Sequence, residues 1–125
     1  MTQRQTNVFK KIASVAGLAL SLTLTATQAV AAFPDKPIQF ISPFAAGGAN
    51  DYLTRLMAQH MGTELKGTIV AENKTGANGI VGATYVAKSA PDGYAVLTGN
   101  SATHGTNPTL YPNAPYDAIK DFAPI

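Results

Sequence analysis

Residues 33–125 predict an α/β domain, a doubly wound and mainly parallel sheet, and three observations carry that expectation. Short apolar runs alternate with segments of helical period, in the order βαβαβ. Each apolar run is followed by a loop rich in Gly, Ala, Asn, Ser or Thr, the composition seen beyond the carboxyl ends of parallel strands. The chain contains no Cys, so its stability must come from a packed core and not from disulfides.

The elements follow in order. Pro37 to Ser42, with Ile38, Phe40 and Ile41, reads as a buried first strand. Asn50 to Leu65 reads as the first helix, with Leu53, Leu56, Met57 and Met61 at the spacing of one face and expected to meet the sheet. Thr68 to Asn73 gives strand two. Asn78 to Ser89 gives helix two, with Ile80, Val81, Ala83, Val86 and Ala87 as its buried face. Pro91-Asp92-Gly93 is a turn, Tyr94 to Thr98 is strand three, and Asn107 to Phe122, with Pro108, Pro112 and Pro115, reads as an extended connection. By the strand-end rule, the loops Phe44–Asn50, Lys74–Asn78 and Gly99–Gly105 emerge at one edge.

Residues 1–32 are of another kind. Arg4, Lys10 and Lys11 precede the apolar stretch Ile12–Leu24, and Ala29-Val30-Ala31 supplies a small-x-small cleavage pattern after Ala31 or Ala32. This is a secretory signal peptide; its apolar core is shorter than the roughly 20 residues that a spanning helix needs. No Cys follows it, which excludes a lipoprotein anchor. Three of the nine basic residues lie in this leader, leaving six against seven acidic ones in the mature part. The basic pI of about 9.0 therefore reports export, and a nucleic-acid surface is not expected.

The loop Pro43-Phe44-Ala45-Ala46-Gly47-Gly48-Ala49-Asn50-Asp51 carries the chemistry. It places two glycines at a helix N-terminus, where unpaired N–H groups and the positive end of the helix dipole suit a carboxylate or phosphate. A packing turn capped by Asp51 accounts for the same residues, and Asp51 can serve both as cap and as a fixed acceptor. Gly76, Gly79 and Gly82 have the wrong spacing for a dinucleotide fingerprint and read as close-packing positions. Ser101 and His104 share the third loop but lack the GxSxG frame, which leaves an exported α/β hydrolase with Ser101 as nucleophile as the first alternative. His104 reads as a hydrogen-bonding loop anchor and His60 as half-exposed structure; no metal site and no cofactor are expected. Asn73-Lys74-Thr75 matches a glycosylation sequon and reads as a chance match.

Six motifs occur in order: Lys36-Pro37-Ile38, Pro43 to Asp51, Glu72 to Gly79, Ala90-Pro91-Asp92-Gly93-Tyr94, Asn107 to Tyr111, and Pro115-Tyr116-Asp117 with Lys120-Asp121-Phe122. Together they resemble the periplasmic substrate-binding receptors of tripartite tricarboxylate transporters, the Bug family. The resemblance implies a two-domain clamshell, of which this chain holds part of the first domain. It also implies a small carboxylate ligand, membrane transporter subunits as partners, a monomer when full length, a periplasmic location and no catalysis. A carboxylate-sensing receptor without transport is the remaining alternative. Carried over, the resemblance points to Phe44, Ala46, Gly47, Gly48 and Asp51, then Asn78, then Ser101, Thr103 and His104 as ligand-binding residues. The second loop departs from the family's usual Arg-Pro-Gly-Ala, reading Lys74-Thr75-Gly76-Ala77. A charged hydrogen bond contributes about 1.5–3 kcal/mol, and micromolar affinity needs about 8, so a single open loop is expected to bind carboxylates negligibly without a closing domain.

Overall fold

The computed structural model describes residues 32–125. The signal-peptide reading lies outside the described residues, apart from Ala32.

Three parallel strands form one sheet in the order β2-β1-β3: β1 is Ile38–Ser42, β2 Ile69–Asn73 and β3 Ala95–Leu97. The first strand in sequence lies in the middle because the chain crosses over to β2 on one side and then back past β1 to β3. With right-handed crossovers, such a reversal puts the two connecting helices on opposite faces. The side chains agree. Ser42 bonds to α1, spanning Ala49–Leu65, whereas Gln39, on the other face of the pleat, accepts a hydrogen bond from Tyr85 of α2, spanning Ile80–Ala87. β1 is covered on both faces, and Ile38, Phe40 and Ile41 are almost fully buried. Each contributes on the order of 1.5–3 kcal/mol by leaving water.

α1 meets the sheet with a face different from the one expected. Asp51, Thr54 and Ala58 point inward, whereas Leu53 and Met57 remain 49% and 46% exposed. The reason lies in the sheet beneath. Its carboxyl end presents Ser42, Asn73 and Thr98 on that face, and small or polar helix residues both approach closely and pair with them. Thr54 Oγ1 lies 2.7 Å from Asn50 O and 2.7 Å from Thr98 Oγ1, while Asn50 accepts from Ser42 Oγ at 2.9 Å and donates to Thr98 O at 3.3 Å. α1 ends at Lys66, which takes a left-handed conformation while the Gly67 N–H bonds back to the Gly62 carbonyl.

α2 is shorter than the sequence suggests. It is preceded by a turn, Ala77–Gly79, and buries Gly82 and Ala83, while Val81 faces outward. A Cβ on Gly82 would stand 2.8 Å from Lys74 O and 2.9 Å from Pro43 Cα, so the absence of a side chain is what lets α2 lie on the sheet. The dinucleotide spacing thus has a packing explanation. Beyond β3 the expected loop and extended connection are in part helical: Ala102–Thr106 forms a wide π-type turn that runs into the short helix α3, Asn107–Leu110. Pro108 sits in the first turn of α3, where its missing N–H costs nothing.

An open apolar trough of about 1190 Å³ runs beside β3, with Ile38, Met61, Leu65, Val86, Leu97 and Phe122 among its walls. Its apolar lining suits packed side chains and not a carboxylate. Among these residues no helix is long and apolar enough to cross a membrane, and no three metal-ligating side chains cluster.

Candidate functional site

The three loops that follow the strands converge, as expected, at the carboxyl edge of the sheet. Their meeting point is Gly79, buried with φ of +86°; a Cβ there would lie 2.9 Å from Thr103 Cγ2, 3.2 Å from Phe44 Cζ and 3.4 Å from Pro43 Cβ. One position thus touches the first, second and third loops together.

The first loop is exposed from Ala45 to Ala49. The N-cap of α1 is Gly48, in extended conformation, and Asp51 is the third helical residue, so Asp51 is not the cap in the usual sense. Instead its carboxylate folds back on the loop. It accepts from the Gly47 N–H at 2.9 Å, from Arg55 Nε at 3.1 Å and from Asn73 Nδ2 at 2.8 Å. These donors, the Gly47 amide foremost, hold its pKa at about 2, well below the ordinary 3.8, against a small opposing effect of burial. Asn73, the last residue of β2, completes the frame: its Nδ2 also donates to Phe44 O at 3.0 Å, and its Oδ1 accepts from Arg55 Nη2 at 3.0 Å.

The electrostatic result is specific. The chain's own carboxylate takes the Gly47 amide, and the Arg55 charge is spent on Asp51 and Asn73 behind the loop. Among the described residues, the amides of Ala45, Ala46, Ala49, Asn50 and Asp51 have no protein partner. The loop therefore offers an outward row of main-chain donors at the positive end of a 17-residue helix, with no cationic side chain paired to them.

The other predicted residues fall into two groups. Ser101 is exposed and its hydroxyl makes no hydrogen bond among the described residues, and Asn78 is exposed at the tip of the second loop. Thr103 is fully buried. Its hydroxyl accepts from the Asn100 N–H at 3.0 Å and shares a hydrogen bond of 2.9 Å with His104 Nδ1, and its carbonyl accepts from Tyr116 OH at 2.6 Å. The imidazole of His104 packs edge-on against Phe122, with ring centroids 4.9 Å apart, and its burial lowers its pKa from the ordinary 6.5. The lowered pKa favours the neutral ring. Because Nδ1 engages Thr103 and not Ser101, the nucleophile and base of a hydrolase are not assembled.

Sequence reasoning overlooked Asn73 and Asn107. In the sequence Asn73 reads as a strand end, a motif residue and a chance sequon, although its amide is committed to two internal acceptors; Asn107 reads only as the opening residue of a motif and of an extended connection. An amide ending a strand, or preceding a proline beside a glycine-rich loop, was the available signal.

The doubly wound half-sheet with an exposed row of helix-terminal amides at its carboxyl edge has the fold of the periplasmic-binding-protein class. Residues 53–125 match the family described as "Tripartite tricarboxylate transporter family receptor", and the chain belongs to that family. A relative from Pseudomonas sp. strain P51, a UPF0065 protein of the tcbD-tcbE intergenic region, is 36% identical over 113 residues, covering 89% of this chain and 33% of the relative. Among solved structures, the periplasmic binding protein BugD is similar with a TM-score of 0.68 and 42% identity, covering 74% of this chain and 31% of that one. MatC from Rhodopseudomonas palustris, solved with bound malate, gives a TM-score of 0.71 and 40% identity, covering 74% of this chain and 32% of that one. The chain thus spans about a third of the length of the proteins it matches.

Proposed function

We propose that this chain forms the part of an exported solute receptor that grips one carboxylate group of a small organic acid, for delivery to the membrane subunits of a tripartite tricarboxylate-type transporter. The observation that carries the reading is the set of unpaired amides of Ala45, Ala46, Ala49, Asn50 and Asp51, placed where the helix dipole favours an anion. Family membership and the malate in MatC support the same ligand class. A leader at residues 1–32, cleaved near Ala31 or Ala32, fits a periplasmic working location.

Within this reading the predicted residues divide by task. The Ala46 amide, with those of Ala49 and Asn50, faces the carboxylate; Phe44 walls the loop; the Ser101 hydroxyl and the second N–H of the Asn78 side-chain amide, whose first is given to Asn107, face the ligand from the other loops. Gly47, Gly48 and Asp51 shape the cradle, and Thr103 and His104 brace the third loop. With roughly 1.5–3 kcal/mol from each charge-assisted bond and about 8 required for micromolar binding, on the order of four such bonds suffice once water is excluded. The full-length protein acts as a monomer, closing a second domain over the ligand. No step calls for catalysis or a cofactor.

Gly48→Val is the decisive variant. Gly48 has a negative φ of −81°, and a Cβ there would meet only Ala45 O at 3.4 Å, so the fold accepts it. The added methyls stand before the amide row. Thermal-shift and calorimetric titration of the full-length protein with malate and other di- and tricarboxylates should give a shift that Gly48→Val abolishes. A folded wild type silent to the whole panel, or unchanged affinity in a folded Gly48→Val, overturns the reading.

A further inference from the structure

The second loop stores backbone strain beside the ligand edge. Four consecutive residues have positive φ: Gly76 at 134°, Ala77 at 46°, Asn78 at 54° and Gly79 at 86°. Glycine adopts such angles freely and Asn tolerates them singly, but Ala does not, so something must hold the turn there. Within the turn, Gly79 N–H bonds to Gly76 O at 2.9 Å. Across loops, Asn107 supplies a reciprocal pair: its Nδ2 donates to Asn78 O at 2.9 Å, and its Oδ1 accepts from Asn78 Nδ2 at 2.9 Å. Asn107 is fully buried at the start of α3, so both bonds are shielded from water.

We propose that Asn107 is a positioning residue for the carboxylate site: its paired hydrogen bonds hold the left-handed turn Gly76–Gly79 and so aim Asn78 at the ligand. The inference rests on the carboxylate reading above. Asn107 touches no ligand itself. It fastens the second loop to the start of α3, which the π-type turn joins to Ser101, and preorganisation of that kind lowers the ordering cost of binding. The choice of Asn is chemical. Only a side chain with a donor and an acceptor at one end makes both bonds at once; Asp would place a second acceptor against the Asn78 carbonyl.

The test uses the full-length protein, with malate as probe. Calorimetry on wild type, Asn107→Ala and the double variant Asn107→Ala/Ala77→Gly reads affinity, and amide hydrogen exchange at residues 76–79 reads the turn directly. Asn107→Ala should weaken malate binding about tenfold or more and speed exchange in the turn, with the fold retained. Ala77→Gly, which makes one left-handed position unstrained, should restore part of that affinity in the double variant. A residue that merely fills the core would lower the melting temperature without such rescue. Equal malate affinity in wild type and a folded Asn107→Ala overturns the inference while leaving the carboxylate reading intact. If Asn107→Ala fails to fold, Asn107→Asp takes its place under the same criteria. A folded wild type that binds none of the carboxylates overturns the carboxylate reading and, with it, the role given to Asn107; exchange data would then report on the turn alone.

Discussion

The first and second loops differ in where their main-chain donors go: one leaves them unpaired and the other spends them internally, which under the proposed carboxylate reading separates a binding loop from a supporting one. In the first loop, Asp51 and Asn73 bond from behind, to the Gly47 amide and the Phe44 carbonyl, leaving the outward amides of Ala45, Ala46 and Ala49 unpaired. In the second, the chain curls left-handed through Gly76–Gly79, and Asn107 takes both the carbonyl and the side-chain amide of Asn78. Both frames use asparagine, a neutral group with donor and acceptor together, and the charged member of the first, Asp51, is paired with Arg55. An arginine lies at the first loop, yet it is turned to Asp51 and not to the outer face. The loop's outer face thus presents main-chain dipoles in preference to ions.

Four perturbations sharpen that comparison. The largest effect falls on the support: Gly82→Val drives a side chain into the Lys74 carbonyl and the Pro43 backbone, and should cost about 3 kcal/mol or more, read as a collapse of the urea midpoint. Should Gly82→Val prove neutral, close packing between α2 and the first loop is not what unites the two.

The next concerns the first loop and pH. The Asp51 carboxyl has a folded pKa of about 2 against 3.8 for the ordinary group, chiefly through the Gly47 amide, so the ionised form is the one the fold favours. Its stabilisation is complete above 3.8 and is lost as pH falls through about 2. Asp51→Asn should therefore lower the urea midpoint at neutral pH and flatten its fall in that acid window. An identical acid limb in the variant would mean that the carboxylate frame of the first loop contributes nothing.

A smaller loss tests the brace of the third loop. Tyr116→Phe removes the hydrogen bond to Thr103 O at 2.6 Å, buried within the fold, and should cost about 1–2 kcal/mol by thermal denaturation. The smallest effect has the opposite sign: Ala77→Gly alone should stabilise by about 0.5–1 kcal/mol, because glycine is at ease at the φ of 46° that Ala77 must adopt. A destabilising Ala77→Gly would show the turn to be unstrained, and the contrast between the loops would lose its energetic basis.

Local pattern made the three strands, both main helices and the Gly47-Gly48 cradle legible, since the period of an apolar run and the composition of a turn act within a few residues. It also placed Ser101, Asn78 and the first loop at one edge, because loops that leave parallel strands all emerge at their carboxyl ends. The inward face of α1 could not be read that way. Leu53 and Met57 outrank Thr54 in hydrophobicity, but the polar sheet end of Ser42, Asn73 and Thr98 selects the side chain that can pair with it. The left-handed turn at Ala77 and Asn78 was equally hidden, since nothing in Gly-Ala-Asn-Gly announces strain until Asn107, 29 residues away, is seen to hold it.

What the sequence by itself determined is therefore the α/β order, the leader-like first residues and a loop chemistry suited to an anion. Tertiary structure alone decided which amides are left to a ligand and which are spent internally. A hydrogen-bonding group has few partners to give, and which partner it takes depends on residues that only folding brings within 3 Å or so.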